Sequence, residues 1–293
     1  MGDSPVVVGT DGSEISMRAI DWAAREADLR GRPLRIVSVA LMPPRMSWYQ
    51  HSGPATVADI IREDTEKALA AAAERAAATQ PGVSVSTALL TGMPARALAE
   101  NADGAEMLVV GSRGGGGFTA LLLGSVGRDV AFTASCPVVV VREDSAAGHR
   151  QIVVGVHDGE QAGALGFAFE EAQRRQSRLQ VCYAWQIFLP RRLAGQAAEP
   201  GDAQRGSPEA DRWLAGLIAP WRQKYPAVDV AEDSVHASPS RILIGASARA
   251  DLVVLGRDGG PESGNAGASA LAHAMLNHAH CPVAIVPEEA ASS

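Results

Sequence analysis

Segments of this chain occur twice at a nearly constant interval, and this constrains its fold more than any single motif. Ala105-Glu106-Met107-Leu108-Val109-Val110-Gly111 returns as Ala250-Asp251-Leu252-Val253-Val254-Leu255-Gly256. Cys136-Pro137-Val138 returns as Cys281-Pro282-Val283, and Pro94 as Pro239. These pairs are all 145 residues apart (256 − 111, 281 − 136, 239 − 94). Near the start, Val7-Val8-Gly9 returns as Val153-Val154-Gly155 at an interval of 146, so a one-residue insertion or deletion separates the anchors. The chain is a tandem duplication, and its 293 residues suit two average domains. The expected domains are 1–144 and 150–293, with the boundary in the polar segment Arg142–Arg150.

Each copy alternates short apolar runs with longer amphipathic ones. In the first, the pattern predicts strands at Val6–Gly9, Leu34–Val39, Val83–Leu90, Met107–Gly111 and Val138–Val141. It predicts helices at Glu14–Arg30, Val57–Thr79, Ala95–Ala102 and Ser125–Ala134. Continuous apolar strands alternating with helices indicate α/β domains, each an open parallel sheet with helices on both faces. Val83–Leu90 alternates polar and apolar residues, as expected nearer a sheet edge. Irregular inserts are expected at Met42–Ala55, with Trp48, Tyr49 and His51, and at Gln186–Asp211, either as lids and partner surfaces or as disorder. Trp213 and Trp221 share a helix face beyond the second insert and read as core or interface.

Gly111–Ser125, reading GSRGGGGFTALLLGS, carries the chemistry. It links an apolar strand to a helix start. Glycines let backbone N–H groups approach a phosphate, and the helix N-terminus adds free donors and a partial positive charge. Gly124-Ser125 ends the loop with a hydroxyl able to cap the helix and to bind a phosphate oxygen. A flexible surface loop is the competing reading. The only lysines, Lys67 and Lys224, do not follow glycines, so no GxxxxGK[ST] loop exists. A dinucleotide fingerprint fits poorly, because the loop follows a late strand of its unit.

Gly111-x2-Gly114-x9-Gly124-Ser125 resembles the nucleotide-binding pattern of the universal stress protein family. Val6-Val7-Val8-Gly9-Thr10-Asp11-Gly12-Ser13 resembles its first strand and acidic turn, Gly92-Met93-Pro94-Ala95 its turn before the third helix, and Cys136-Pro137-Val138-Val139-Val140 its last strand. The resemblance implies tandem Rossmann-like, adenine nucleotide alpha-hydrolase-like domains that bind ATP and serve stress-response regulation or signalling. It implies a site in the first domain at Gly9, Asp11, Val39, Gly111, Arg113, Gly114, Gly124, Ser125 and Val126. Asp11 would take ribose hydroxyls or meet a metal such as Mg on the phosphates, and the backbone of Val39 would hold adenine. Gly111 would approach the ribose, and Gly114, Gly124, Ser125 and Val126 would surround the phosphates. Arg113 reads either as charge neutralisation or as a solvated surface arginine, and Asp11 has a competing reading as a turn residue before Glu14. The resemblance also implies pairing through final strands, here Val138–Val141 and Val283–Val286 as an intrachain pseudo-dimer, with a homodimer and a regulatory protein partner also open.

The second copy departs from this pattern. Ser269-Ala270 stand in register with Gly124-Ser125, Asp258 replaces Arg113, and His157 or Asp158 takes the place of Asp11. Gly256 and Gly259 remain, and a shifted cradle using Gly267 and Ser269 is the alternative to a weak or empty second site.

Other classes are disfavoured. The net charge of −7 (26 basic, 33 acidic residues) argues against nucleic-acid binding. No long uncharged apolar run predicts a membrane span, and the start lacks a signal-peptide pattern, so a cytoplasmic protein is expected. Cys136, Cys182 and Cys281 contain no CxxC and read as reduced, buried thiols. The cluster of His273, His278, His280 and Cys281 lacks a second ligand pair for zinc. No catalytic constellation is visible, so binding is expected, with slow ATP hydrolysis at most. An ATP pyrophosphatase or nucleotidylyltransferase would need an SGGxDS-like or HxGH-like element, and Thr10-Asp11-Gly12-Ser13 is neither. The remaining alternative is a nucleotide-free scaffold for partner binding.

Overall fold

The computed structural model describes residues 4–40, 57–114, 123–142, 148–157, 161–185, 204–205, 207–257 and 266–288. The chain divides into two compact units, Met1–Asp144 and Ser145–Ser293. Unit 1 runs β1 (Val6–Gly9), α1 (Glu14–Arg30), β2 (Leu34–Ala40), α2 (Val57–Thr79), β3 (Val85–Thr91), α3 (Pro94–Asn101), β4 (Met107–Gly111), α4 (Ser125–Thr133) and β5 (Val138–Val141). Unit 2 runs β6 (Gln151–Val156), α5 (Ala162–Arg175), β7 (Arg178–Trp185), β8 (Gln204–Arg205), α6 (Pro208–Lys224), β9 (Val230–His236), α7 (Pro239–Ser247), β10 (Leu252–Arg257), α8 (Ala266–His278) and β11 (Val283–Pro287).

Unit 1 orders its strands β3-β2-β1-β4-β5, all parallel. Unit 2 orders them β11-β10-β6-β7-β9, again parallel, and adds β8 antiparallel to β9. In each unit the chain leaves the central strand in one direction and later returns on its other side. That switch opens a crevice at the carboxyl ends of the central strands. The all-apolar strands are buried throughout, as strands covered on both faces must be: Val6, Val8, Met107, Leu108, Val109, Val138, Val139 and Val140 are all 0% exposed. β3, at the end of the order, keeps its alternating pattern and is exposed or half-buried.

Helix ends follow from local chemistry. Ser13 caps α1 by accepting from the Ser16 N–H, and Gly31, in the left-handed region (φ 61°), ends it. Buried Glu26 pairs with Arg30, which also reaches Glu106 at 2.6 Å. Glu171 and Arg175 repeat the first pair in α5 at 2.8 Å, 145 residues on.

Three sequence expectations are corrected. β3 begins at Val85 rather than Val83, because the Val83 N–H closes a turn onto the Gln80 carbonyl (3.2 Å). α3 begins at Pro94, whose missing N–H suits the first helical position. The irregular insert expected to Asp211 is shorter: Ser207 caps α6, Pro208 opens it, and Gln204–Arg205 pair with β9. The expected insert at Met42–Ala55 and residues 186–203 of the second lie outside the described residues. Trp213 packs on Tyr183 (centroids 4.5 Å apart), and Trp221 stacks with Phe169 at 6.0 Å. Among the described residues no helix is long and apolar enough to cross a membrane.

Candidate functional site

The crevice of unit 1 holds a cavity of about 660 Å³, within the range of small-molecule sites. The nine residues expected to form a site all line it. Gly9 ends β1 and Asp11 follows it, Val39 lies on β2, Gly111 ends β4, and Arg113 and Gly114 follow it. Gly124, Ser125 and Val126 approach from the start of α4. The apolar wall also contains Val37, Pro94, Leu98 and Val110, and Thr10, Ser16 and Gly127 complete the lining; none of these was among the expected site residues.

Asp11 sits in a turn of its own making. Its Oδ1 accepts from the Ser13 N–H at 3.0 Å. Its Oδ2 faces Gly114, where a β-carbon would lie only 2.5 Å away. Gly12 follows with φ 79°, a conformation that favours glycine. The glycine cradle and the carboxylate therefore face each other directly. Gly127 brings α4 against β4, a β-carbon there lying 3.3 Å from the Gly111 carbonyl.

One expectation about Ser125 changes. Gly124 is the N-cap of α4, Ser125 is the first helical residue, and among the described residues no side chain caps the helix. Ser125 lines the cavity instead. The segment 115–122 lies outside the described residues.

Unit 2 keeps glycines at Gly155 and Gly256, in register with Gly9 and Gly111, and differs around them. Val8 pairs with Val109 and Val154 with Val254, which places His157, not Asp158, in register with Asp11. The side chain of Gln161 donates to His157 at 3.0 Å, while its buried Oε1 has no hydrogen-bond partner. α8 begins at Ala266, so Gly267, Ser269 and Ala270 lie within a helix. The residues of the shifted cradle thus stand near the start of α8, and the segment 258–265 before it lies outside the described residues. Glu288, which carried no motif, accepts from the N–H groups of Gly163 (2.6 Å) and Ala164 (3.1 Å) and caps α5. The same carboxylate fills the space beside Gly256, where a β-carbon would lie 2.5 Å from its Oε1. Asp258 and Gly259 lie outside the described residues.

Elsewhere, burial pushes the Cys182 thiol up, with the Asp233 charge adding to it. All three cysteines are buried and form no disulfide. Among the described residues no group of three or more His, Cys, Asp or Glu could hold a metal ion.

The sequence profile of the universal stress protein family matches residues 4–142 and 148–287. The chain belongs to the universal stress protein family. Universal stress protein Rv2005c of Mycobacterium tuberculosis is 32% identical over 297 residues, covering 96% of each chain. A universal stress protein of Archaeoglobus fulgidus shares the fold over 98% of this chain and 100% of its own, with a TM-score of 0.72 at 16% identity. A universal stress protein solved in complex with cAMP aligns with 48% of this chain and 98% of its own, at 30% identity and a TM-score of 0.37.

Proposed function

We propose that unit 1 binds ATP and that this universal stress protein acts as a nucleotide-dependent regulatory factor in the stress response. One observation carries the reading: the cavity brings a glycine cradle, an uncapped helix start and a single carboxylate to the switch point of one parallel sheet. The uncapped turn of α4 and Gly114 suit phosphate oxygens. Asp11 suits ribose hydroxyls, or a magnesium ion carried in on the phosphates. The wall of Val37, Val39, Pro94 and Leu98 suits a flat apolar base. The described lining contains no histidine, cysteine or lysine to serve as base or nucleophile, so binding rather than turnover is the proposed activity.

Equilibrium titration of wild type and Gly124→Asp with ATP tests the site. A β-carbon at Gly124 meets nothing closer than 3.6 Å, so the substitution fits and acts through its charge at the helix start. The variant is expected to bind at least about tenfold more weakly, a loss of about 1.4 kcal/mol. Equal binding by both proteins removes the assignment. Absence of binding by both favours the nucleotide-free scaffold.

A further inference from the structure

Behind Asp11 lies a set of hydroxyls that touch one another across the end of β1. Thr10, Ser16 and Ser38 are 7%, 3% and 3% exposed. Ser38 donates to the Thr10 carbonyl at 2.7 Å, satisfying the peptide group that leads directly into Asp11. Thr10 Oγ1 accepts from the Gly12 N–H at 3.2 Å and lies 3.0 Å from Ser16 Oγ. Ser16 Oγ spends its one hydrogen on the Ser13 carbonyl at 2.8 Å. Thr10 must therefore be the donor in the Thr10–Ser16 pair. The result is a directed chain, Gly12 N–H to Thr10 to Ser16 to the Ser13 carbonyl, closing around the residue between Thr10 and Gly12. Chained hydroxyls in a buried setting strengthen one another and hold a single geometry.

Unit 2 supplies the contrast. In register with Thr10, Ser16 and Ser38 stand Val156, Gln161 and Tyr183. Val156 has no hydroxyl, Gln161 turns its amide to His157, and Tyr183 packs its ring on Trp213. All three hydroxyl positions have changed in the unit that has also lost the aspartate. Packing alone gives no reason for the two losses to go together.

We propose that Ser38, with Thr10 and Ser16, positions the Asp11 carboxylate for the ribose hydroxyls of a bound nucleotide, a proposal that rests on the reading of unit 1 as a nucleotide site. Ser38 does not line the cavity, so it acts on the ligand only through the Thr10–Asp11 peptide.

Titrations with ATP and with 2′,3′-dideoxy-ATP, which lacks both ribose hydroxyls, test this on wild type, Ser38→Ala, Ser38→Thr, Asp11→Asn and the Ser38→Ala/Asp11→Asn pair. Ser38→Ala is expected to weaken ATP about fivefold or more and to leave the dideoxy nucleotide unchanged. Ser38→Thr, which keeps a donor, is expected to restore ATP binding. Ser38→Ala is expected to add nothing in the Asp11→Asn background. Equal ATP affinity of Ser38→Ala and wild type overturns the proposal. An equal loss for both nucleotides does so too, because a general loss of packing does not distinguish ribose hydroxyls. A wild-type chain that binds neither nucleotide removes the nucleotide reading itself, and the proposal falls with it.

Discussion

Gly111 and Gly114 belong to one loop, yet an added methyl group would meet different things at each. At Gly114 it would lie 2.5 Å from Asp11 Oδ2, the far end of a side chain rather than backbone. At Gly111 it would lie 3.2 Å from the backbone carbon and oxygen of Ile15, in the first turn of α1. Gly114→Ala is therefore expected to keep its stability to within about 0.5 kcal/mol and to lose ATP affinity through the displaced carboxylate. Gly111→Ala is expected to lose about 1–3 kcal/mol of stability, because backbone must move. Urea denaturation and ATP titration of the two variants separate these outcomes, and a stability loss at Gly114 matching that at Gly111 contradicts the geometry. The glycine spacing was legible in the sequence because few residues tolerate such close approach. Thr10, Ser16 and Ser38 were not, since a hydroxyl in or beside a strand looks the same whether it faces solvent or a buried carbonyl. Their only trace was the change to Val156, Gln161 and Tyr183 in the second copy.

Between elements, α2 meets Asp21 of α1 through polar contacts that make stability depend on pH. Arg75 of α2 donates twice to Asp21 of α1, at 2.8 and 2.6 Å, and Thr79 donates at 3.0 Å. Burial alone would raise the Asp21 carboxyl, but these hydrogen bonds and the charges of Arg75 and Arg25 outweigh it and hold it below the usual carboxylate value. A carboxyl depressed in the folded state stabilises the fold above the unfolded value of about 3.9. That contribution is lost as pH falls through the lower folded value. The pair is partly exposed, so solvent screening limits it: Asp21→Asn is expected to cost about 1 kcal/mol at pH 7. Urea midpoints of variant and wild type are expected to differ at pH 7 and to converge once pH falls below the lowered folded value of Asp21. A gap that stays constant over this range shows that the contact is not electrostatic. The bounds of α1 and α2 were legible because Ser13, Gly31 and the apolar spacing lie in the elements or beside them. The cap of α5 was not, because it comes from Glu288, more than 120 residues along the chain.

At the scale of the molecule, duplication has kept one scaffold in two copies and allowed the ends of their sheets to diverge. What both copies share is strand order and buried charge, down to Glu26–Arg30 and Glu171–Arg175. What they do not share is the end where a ligand would sit. In unit 1 Gly111 and Gly114 line a cavity, and the turn of Asp11 is braced from behind. In unit 2 the space beside Gly256 is taken by Glu288, and the helix in register with the α4 start begins earlier along the chain. A nucleotide approaching Gly256 would meet a carboxylate already bonded to the N–H groups of α5, and displacing it costs both a helix cap and charge repulsion. The full chain is therefore expected to take up one ATP, not two. Hydrogen exchange with and without saturating ATP reads this out by location. Peptides covering Gly9–Ser16, Val37–Val39, Val110–Gly114 and Gly124–Gly127 are expected to exchange about tenfold or more slowly with ATP, while those covering Gly155–Val156, Gln161–Ala164 and Leu252–Gly256 keep their rates. Equal slowing in both units contradicts the division of labour, because it requires ATP to displace Glu288 from a helix end that it already satisfies.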